Sequence, residues 1–318
     1  MNLIRAVFTV ENYDLAATLA SGQAFRWRSG PGGWTGVVDG RWVRLRAAAG
    51  QIAAETAAPA ADWQWLRHYL QLEVSLQEVL AAFPRDDPAL QTAVRACAGL
   101  RLLRQEPWEC LASFICSSSK QIAQIQQIIA LLCRRFGQPL PVPAGEEPAY
   151  SFPGYARLAE ASEADLRGCK LGFRAPYLRE TAQELAAGEV DLGRLFKLSL
   201  DDARAELLKL PGVGVKIADC VLLFAYGFPE AFPVDVWIMR ALRRHYFPRR
   251  SVSPARLRRF IRAHFGPRAG YAQQYLFHYM RVVEKSPAGR DSVEPKLDLL
   301  GQSHGSTESC PSEVGFGD

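Results

Sequence analysis

The sequence has no C-x-x-C pair. Its seven cysteines, at 97, 110, 116, 133, 169, 220 and 310, are odd in number and scattered, which argues against a disulfide framework or a paired-thiol motif. Cys116 closes the apolar run Ser113-Phe114-Ile115-Cys116, so these residues read as reduced, buried thiols of an intracellular protein. The N-terminal residues lack a long apolar core followed by a small-residue cleavage site, and no run is long enough to span a bilayer; neither a secretion signal nor membrane contact is expected. No internal repeat occurs at solenoid periods. Acids are almost missing from Arg240 to Arg290, where thirteen Lys/Arg face Glu284 alone. A surplus of that kind suits phosphate neutralisation, although a lone charge run is more often a solvated helical face.

Against those absences, a hydrophobic content of 48% and a charged content of 22% are enough for a buried core in a chain of 318 residues with a net charge of +5. Residues 1–85 read as an antiparallel sheet module. In the stretch from Gly33 to Arg46, the Asp39-Gly40 turn between alternating runs signals a hairpin. Alternation fades after it, and Asp62 to Phe83 has helical periodicity with Asp62 as N-cap.

Residues 86–285 read as successive amphipathic helices. A long pattern from Pro107 to Phe136 has a potential break near Ser117-Ser118-Ser119, and Pro139 to Gly145 is a loop. Helical periodicity resumes over Tyr155–Ala161, Glu163–Gly168, Arg174–Ala187, Leu200–Leu208, Val215–Ala225, Val236–Tyr246, Pro254–Phe265 and Ala269–Glu284. The stretch 286–318 is rich in Ser, Gly, Pro and Glu and is expected to be a disordered tail. The fold class is α+β, mostly α.

The strongest local signal is Leu208-Lys209-Leu210-Pro211-Gly212-Val213-Gly214-Val215-Lys216, a tight turn between two helices, within a helical hairpin unit over about 201–225. Gly212 and Gly214 permit backbone angles closed to other residues. The N–H groups of Gly212, Val213, Gly214 and Val215 are candidates for holding a phosphate. Nineteen residues beyond Lys216, Asp235 opens the next helix. Separately, these two side chains read as solvated surface and as an N-cap. Together they make a chemical pair. A lysine attacks an anomeric carbon only as the neutral amine, a form favoured by a helix N-terminus and a low-dielectric pocket. A nearby carboxylate stabilises the positive charge that builds on the sugar and assists proton transfers.

The hairpin, Lys216 and Asp235 resemble the helix-hairpin-helix DNA glycosylases, and specifically their 8-oxoguanine branch. The resemblance spans residues 10–285. It rests also on Ser21-Gly22-Gln23-Ala24-Phe25-Arg26-Trp27, on the stretch from Trp108 to Ser118, on Gly172-Phe173-Arg174-Ala175-Pro176-Tyr177, on Pro233-Val234-Asp235-Val236, and on the stretch from Phe265 to Phe277. It implies a helix-hairpin-helix glycosylase core of two helical subdomains behind the sheet module. Its implied reaction is excision of 8-oxoguanine, and of formamidopyrimidines as a further candidate, through a Lys216 Schiff base that opens a route to β-elimination at the abasic site. Because such chemistry needs the base extruded from the duplex, the resemblance assigns Phe277 and Cys220 to sandwich it and Gln273 to read its Watson–Crick edge. The carbonyl of Gly22 would accept the N7 hydrogen that only the oxidised purine carries.

By the same resemblance, Arg174 contacts the estranged cytosine and Phe173 wedges into the stack beside it. The sequence departs from the vertebrate and yeast members at three places. Ser119 stands where an asparagine fills the gap left by the flipped base, Gln124 where an arginine contacts the opposite cytosine, and Trp237 where a histidine binds phosphate. A bacterial-type variant with relaxed opposite-base recognition is expected. Monofunctional alkylpurine glycosylases lack the hairpin lysine, and a non-catalytic DNA-binding module would need neither Lys216 nor Asp235. Only Cys310 follows Cys220, so the four-cysteine cluster of endonuclease III-type enzymes has no ligands here. The expected partner is double-stranded DNA containing an oxidised purine. A monomer is expected, with no metal or organic cofactor for the chemistry and room for a structural cation at the hairpin. Its location would be the nucleoid of a bacterium or the nucleus of a eukaryote.

Overall fold

A computed structural model describes residues 3–57, 62–248 and 252–284. The chain opens with β1 (Ile4–Thr9), α1 (Leu15–Ala20), β2 (Arg28–Gly30), β3 (Gly33–Val38), β4 (Arg41–Ala48) and β5 (Gln51–Thr56). The five strands form one antiparallel sheet in the order β1-β5-β4-β3-β2. The expected hairpin joins β3 to β4. Asp39 and Gly40 both take positive φ, 48° and 68°, the pair of angles that matches the twist of the flanking strands.

Two helices follow, α2 (Gln64–Tyr69) and α3 (Leu76–Ala81), where periodicity alone suggests one. Gln71, at φ 52°, turns the chain, and Ser75 restarts it by accepting from the Glu78 N–H at 3.2 Å. Asp62 accepts from Gln64 N at 3.0 Å as the first helix begins. The break divides two apolar clusters. Leu66 and Leu70 pack with Leu15, Leu19, Trp27, Val43, Leu45 and Ile52 beneath the sheet. Leu76, Val79 and Phe83 instead join the helical core.

That core is built from α4 (Pro88–Ala96), α5 (Pro107–Cys116), α6 (Ile122–Phe136), α7 (Tyr155–Ala159), α8 (Glu163–Gly168), α9 (Ala175–Ala187), α10 (Leu200–Leu207), α11 (Val215–Val221), α12 (Val236–His245), α13 (Pro254–Phe265) and α14 (Ala269–Glu284). The break expected near Ser117–Ser119 separates α5 from α6. Two differences from the sequence reading stand out. The Pro139–Gly145 loop contains a two-residue strand, β6 (Pro139–Leu140), paired with β7 (Ala149–Tyr150). The helix from Val215 changes to π geometry over Leu222–Tyr226, where Gly227 closes it at φ 78°. The tail expected to be disordered lies outside the described residues.

One buried carboxylate ties distant helices together. Asp87 caps α4 through the Leu90 N–H at 2.9 Å. Its other oxygen bonds the Tyr246 hydroxyl at 2.7 Å and His264 Nε2 at 2.8 Å.

Candidate active site

The two helices of the hairpin unit are locked by Arg204 on α10, whose Nε donates to Asp219 on α11 at 2.7 Å. Both members are largely buried, so neither charge can lose its partner without a desolvation cost. Between the helices, Gly212 sits at φ 74°, and a Cβ there would lie 2.7 Å from Tyr177 Cβ. Backbone angle and close approach both demand glycine. Thr181 Oγ1 donates to Pro211 O at 2.9 Å and holds the turn from the α9 side. Gly212, Gly214 and Val215 are exposed. Val213 departs from the phosphate-binding assignment: its side chain is buried, and its N–H donates to Leu210 O at 3.1 Å within the turn.

Lys216 leaves the first turn of α11 and reaches toward α5. Its Nζ donates to Ser117 Oγ at 3.2 Å and stands 5.3 Å from the centre of the Phe114 ring. Ser117 in turn donates to Phe114 O at 2.7 Å, which fixes the hydroxyl's orientation. Phe114 stacks on Phe224 of the π segment at 5.7 Å, so the changed helical geometry after α11 supplies part of the floor beneath the amine. Among the described residues no ion pair joins Lys216 to Asp235. The amine is held by a neutral acceptor and stays available.

Asp235 caps α12, accepting from Ile238 N at 2.8 Å. Burial pushes its carboxyl above the ordinary range, while the Ile238 N–H, the Lys216 charge and the Arg281 charge pull the other way. Burial also pushes the Cys220 thiol up to about 12, with Lys216 lowering it and Asp235 raising it. Lys216, Asp235, Cys220 and Arg281 therefore share one electrostatic neighbourhood, assembled from α11, the start of α12 and the end of α14.

The base-pocket candidates converge beside it. A Cβ built on Gly22 would lie 2.6 Å from Ile122 Cδ1, 3.1 Å from Arg281 Nη1 and 3.4 Å from Phe277 Cε1. The Gly22 backbone is held by its neighbours. Gln23, fully buried, accepts from Leu103 N at 2.7 Å and donates to Arg101 O at 2.8 Å. Gln274 of α14 donates to Ser21 O at 3.3 Å. Gln273, 4% exposed, has a carbonyl oxygen with no partner among the described residues. A buried amide left unsatisfied in the free protein is what a reader of base edges requires. Gln273, Phe277 and Arg281 are spaced by four and share one stripe of α14.

Phe173 and Arg174 invert ordinary hydropathy. The phenyl ring is 57% exposed and the arginine 2%, the guanidinium lying 4.1 Å from the Phe173 ring centre. Ser119 is exposed at φ 55°, on the turn between α5 and α6. Gln124 is committed locally: its Oε1 accepts from the Gln121 N–H at 3.0 Å across the start of α6. Trp237 is half-buried, with the Arg240 guanidinium 5.0 Å from its ring centre. Sequence reasoning did not single out Ser117, Gln23, Gln274, Ile122 or Arg281. Ser117 lies within the stretch from Trp108 to Ser118, and Arg281 lies one turn beyond Phe277 on the same helical stripe.

Comparison with known proteins agrees with this architecture. Residues 5–111 match the N-terminal domain of 8-oxoguanine DNA glycosylase, and residues 112–266 match the HhH-GPD superfamily of base excision DNA repair proteins. A probable N-glycosylase/DNA lyase of Methanothermobacter thermautotrophicus is 36% identical over 216 residues, covering 62% of this chain and 68% of that one. The N-glycosylase/DNA lyase of Arabidopsis thaliana is 33% identical over 279 residues, covering 83% and 76%. The 8-oxoguanine glycosylase/lyase of Clostridium acetobutylicum, solved with double-stranded DNA carrying cytosine opposite 8-oxoguanine, superposes with a TM-score of 0.82 at 31% identity, covering 89% of this chain and 99% of that one. The chain is a member of the 8-oxoguanine DNA glycosylase family, within the helix-hairpin-helix superfamily of base-excision repair proteins.

Proposed function

We propose that this protein excises 8-oxoguanine from duplex DNA and then cleaves the abasic strand, with Lys216 as nucleophile and Asp235 as its carboxylate partner. The observation that carries the reading is the shared environment of an amine anchored on a hydroxyl and a half-buried carboxylate. Departure of the base leaves cationic character on the sugar, which the Asp235 carboxylate stabilises in a low-dielectric setting. The neutral Lys216 amine attacks C1′ as the bond to N9 breaks. The sugar ring then opens at the C1′–O4′ bond, the amine's proton passing to O4′, and the Schiff base so formed acidifies the C2′ protons and allows β-elimination of the 3′ phosphate. Gly22, Cys220, Gln273 and Phe277 form the slot for the extruded base, and exposed Phe173 wedges into the stack beside the estranged cytosine. Double-stranded DNA is the partner, and the chemistry runs on the amine and carboxylate of this chain.

Borohydride trapping tests it. Wild-type protein should become covalently linked to a duplex containing 8-oxoguanine, and Lys216→Gln should give no linked species. An undiminished yield from the variant would remove Lys216 from the mechanism.

A further inference from the structure

Arg281 borders the lesion pocket with one guanidinium nitrogen, Nη1, unpaired among the described residues. Its guanidinium lies 5.3 Å from the centre of the Phe277 ring. That Nη1 is buried and would stand 3.1 Å from a Cβ on Gly22. The Asp235 carboxyl feels its charge. A cation that covers the stacking ring, touches the glycine of the pocket and leaves a donor unsatisfied is poised for an acceptor that arrives with the substrate.

The purine supplies one. Oxidation at C8 changes the imidazole edge from an N7 acceptor beside C8–H to an N7–H donor beside C8=O8. That edge has the polarity of a cis amide. A carbonyl with an adjacent N–H donor complements it, and the same pair opposes unmodified guanine at both positions. The Gly22 backbone and the Arg281 guanidinium are adjacent, and the carbonyl of the one and the N–H groups of the other have those two polarities. Resting on the function proposed above, we propose that Arg281 is a specificity-determining residue. The extruded base displaces its guanidinium from the Phe277 face, and the freed N–H donates to O8 while Gly22 O accepts from N7–H. Guanine in the same slot leaves the buried donor unpaired, a penalty that corresponds to roughly 10–100-fold in discrimination.

Single-turnover excision tests this with wild type, Arg281→Met and Arg281→Lys. The substrates are duplexes carrying 8-oxoguanine or 8-thioguanine, which keeps N7–H and weakens the acceptor at C8, and a preformed abasic site. Arg281→Met should excise 8-oxoguanine roughly 10–100-fold more slowly and lose most of the wild-type preference for oxygen over sulfur. Arg281→Lys should fall between the two. Thermal melts report that the variants are folded, and borohydride trapping on the abasic site, which has no base to read, should fall by less than excision of 8-oxoguanine does. Wild-type rates for Arg281→Met, an unchanged oxygen-to-sulfur preference, or parallel loss of abasic-site trapping would overturn the proposal. Failure of wild type on 8-oxoguanine would instead overturn the function on which it rests.

Discussion

Asp235 fills two roles with one carboxylate. One oxygen caps α12, which any Asp or Asn would do. Its ionised form serves the reaction, and burial opposes that form. Because its pKa is raised in the folded protein, the folded state favours the protonated carboxyl. The associated stability is full below about pH 4, where the unfolded chain is also protonated, and is lost as pH rises through the raised value. Asp235→Asn should therefore melt higher than wild type at neutral pH, and the difference should vanish in acid. The same variant should slow base release by roughly 10²–10³-fold with DNA binding largely intact. Wild-type base release should show an acid limb lying above the ordinary aspartate value of about 3.9, and the variant should lack it. Thermal melts and single-turnover rates across pH check both statements; a destabilised variant would contradict the sign.

At the scale of elements, the site depends on how helices are pinned. The amine of α11 is aimed by a serine on α5, and the Gly22 loop is clamped by Gln23 and Gln274. Asp87 joins the start of α4 to Tyr246 and His264, at and beyond the end of α12. Burial raises its pKa, but the Leu90 N–H, His264 and the Tyr246 hydroxyl more than offset this and hold it below the ordinary carboxylate range. A depressed folded value contributes stability that is present above about pH 4 and is lost as pH falls through that lower value. Asp87→Asn, which keeps the cap but not the charge, should cost about 2 kcal/mol at neutral pH. The gap to wild type should narrow in acid. Denaturant midpoints at neutral and low pH measure this, and a gap that widens in acid would refute the assignment.

Across the whole molecule, charge is segregated. Helices α12 and α13 carry seven arginines and no acid, on the C-terminal side of Asp235. If this surplus neutralises phosphates, affinity for undamaged duplex should fall linearly on a log–log salt plot, by roughly 10³-fold or more between about 50 and 200 mM salt. Fluorescence anisotropy measures the slope, and a flat response would place the duplex elsewhere. The extents of the helices at Pro254–Phe265 and Ala269–Glu284 were legible because each carries a sustained 3.6-residue pattern, and the start of Glu163–Gly168 because Ser162 caps it, as Ser253 caps Pro254–Phe265. The split at Gln71 was not, since apolar spacing continues across it and only a left-handed residue breaks it.

Residue order by itself determined the chemistry available: one lysine behind a Pro-Gly-Val-Gly turn and one aspartate at the next helix start. Motif spacing carried that much because turn and cap preferences are local. Only tertiary packing decided what surrounds the pair. It set Ser117 beneath the amine, buried the Val213 side chain and brought Arg281 to Gly22, whose positions lie 259 residues apart in the chain. Contacts of that range follow from which helices share a core, and no local periodicity encodes them.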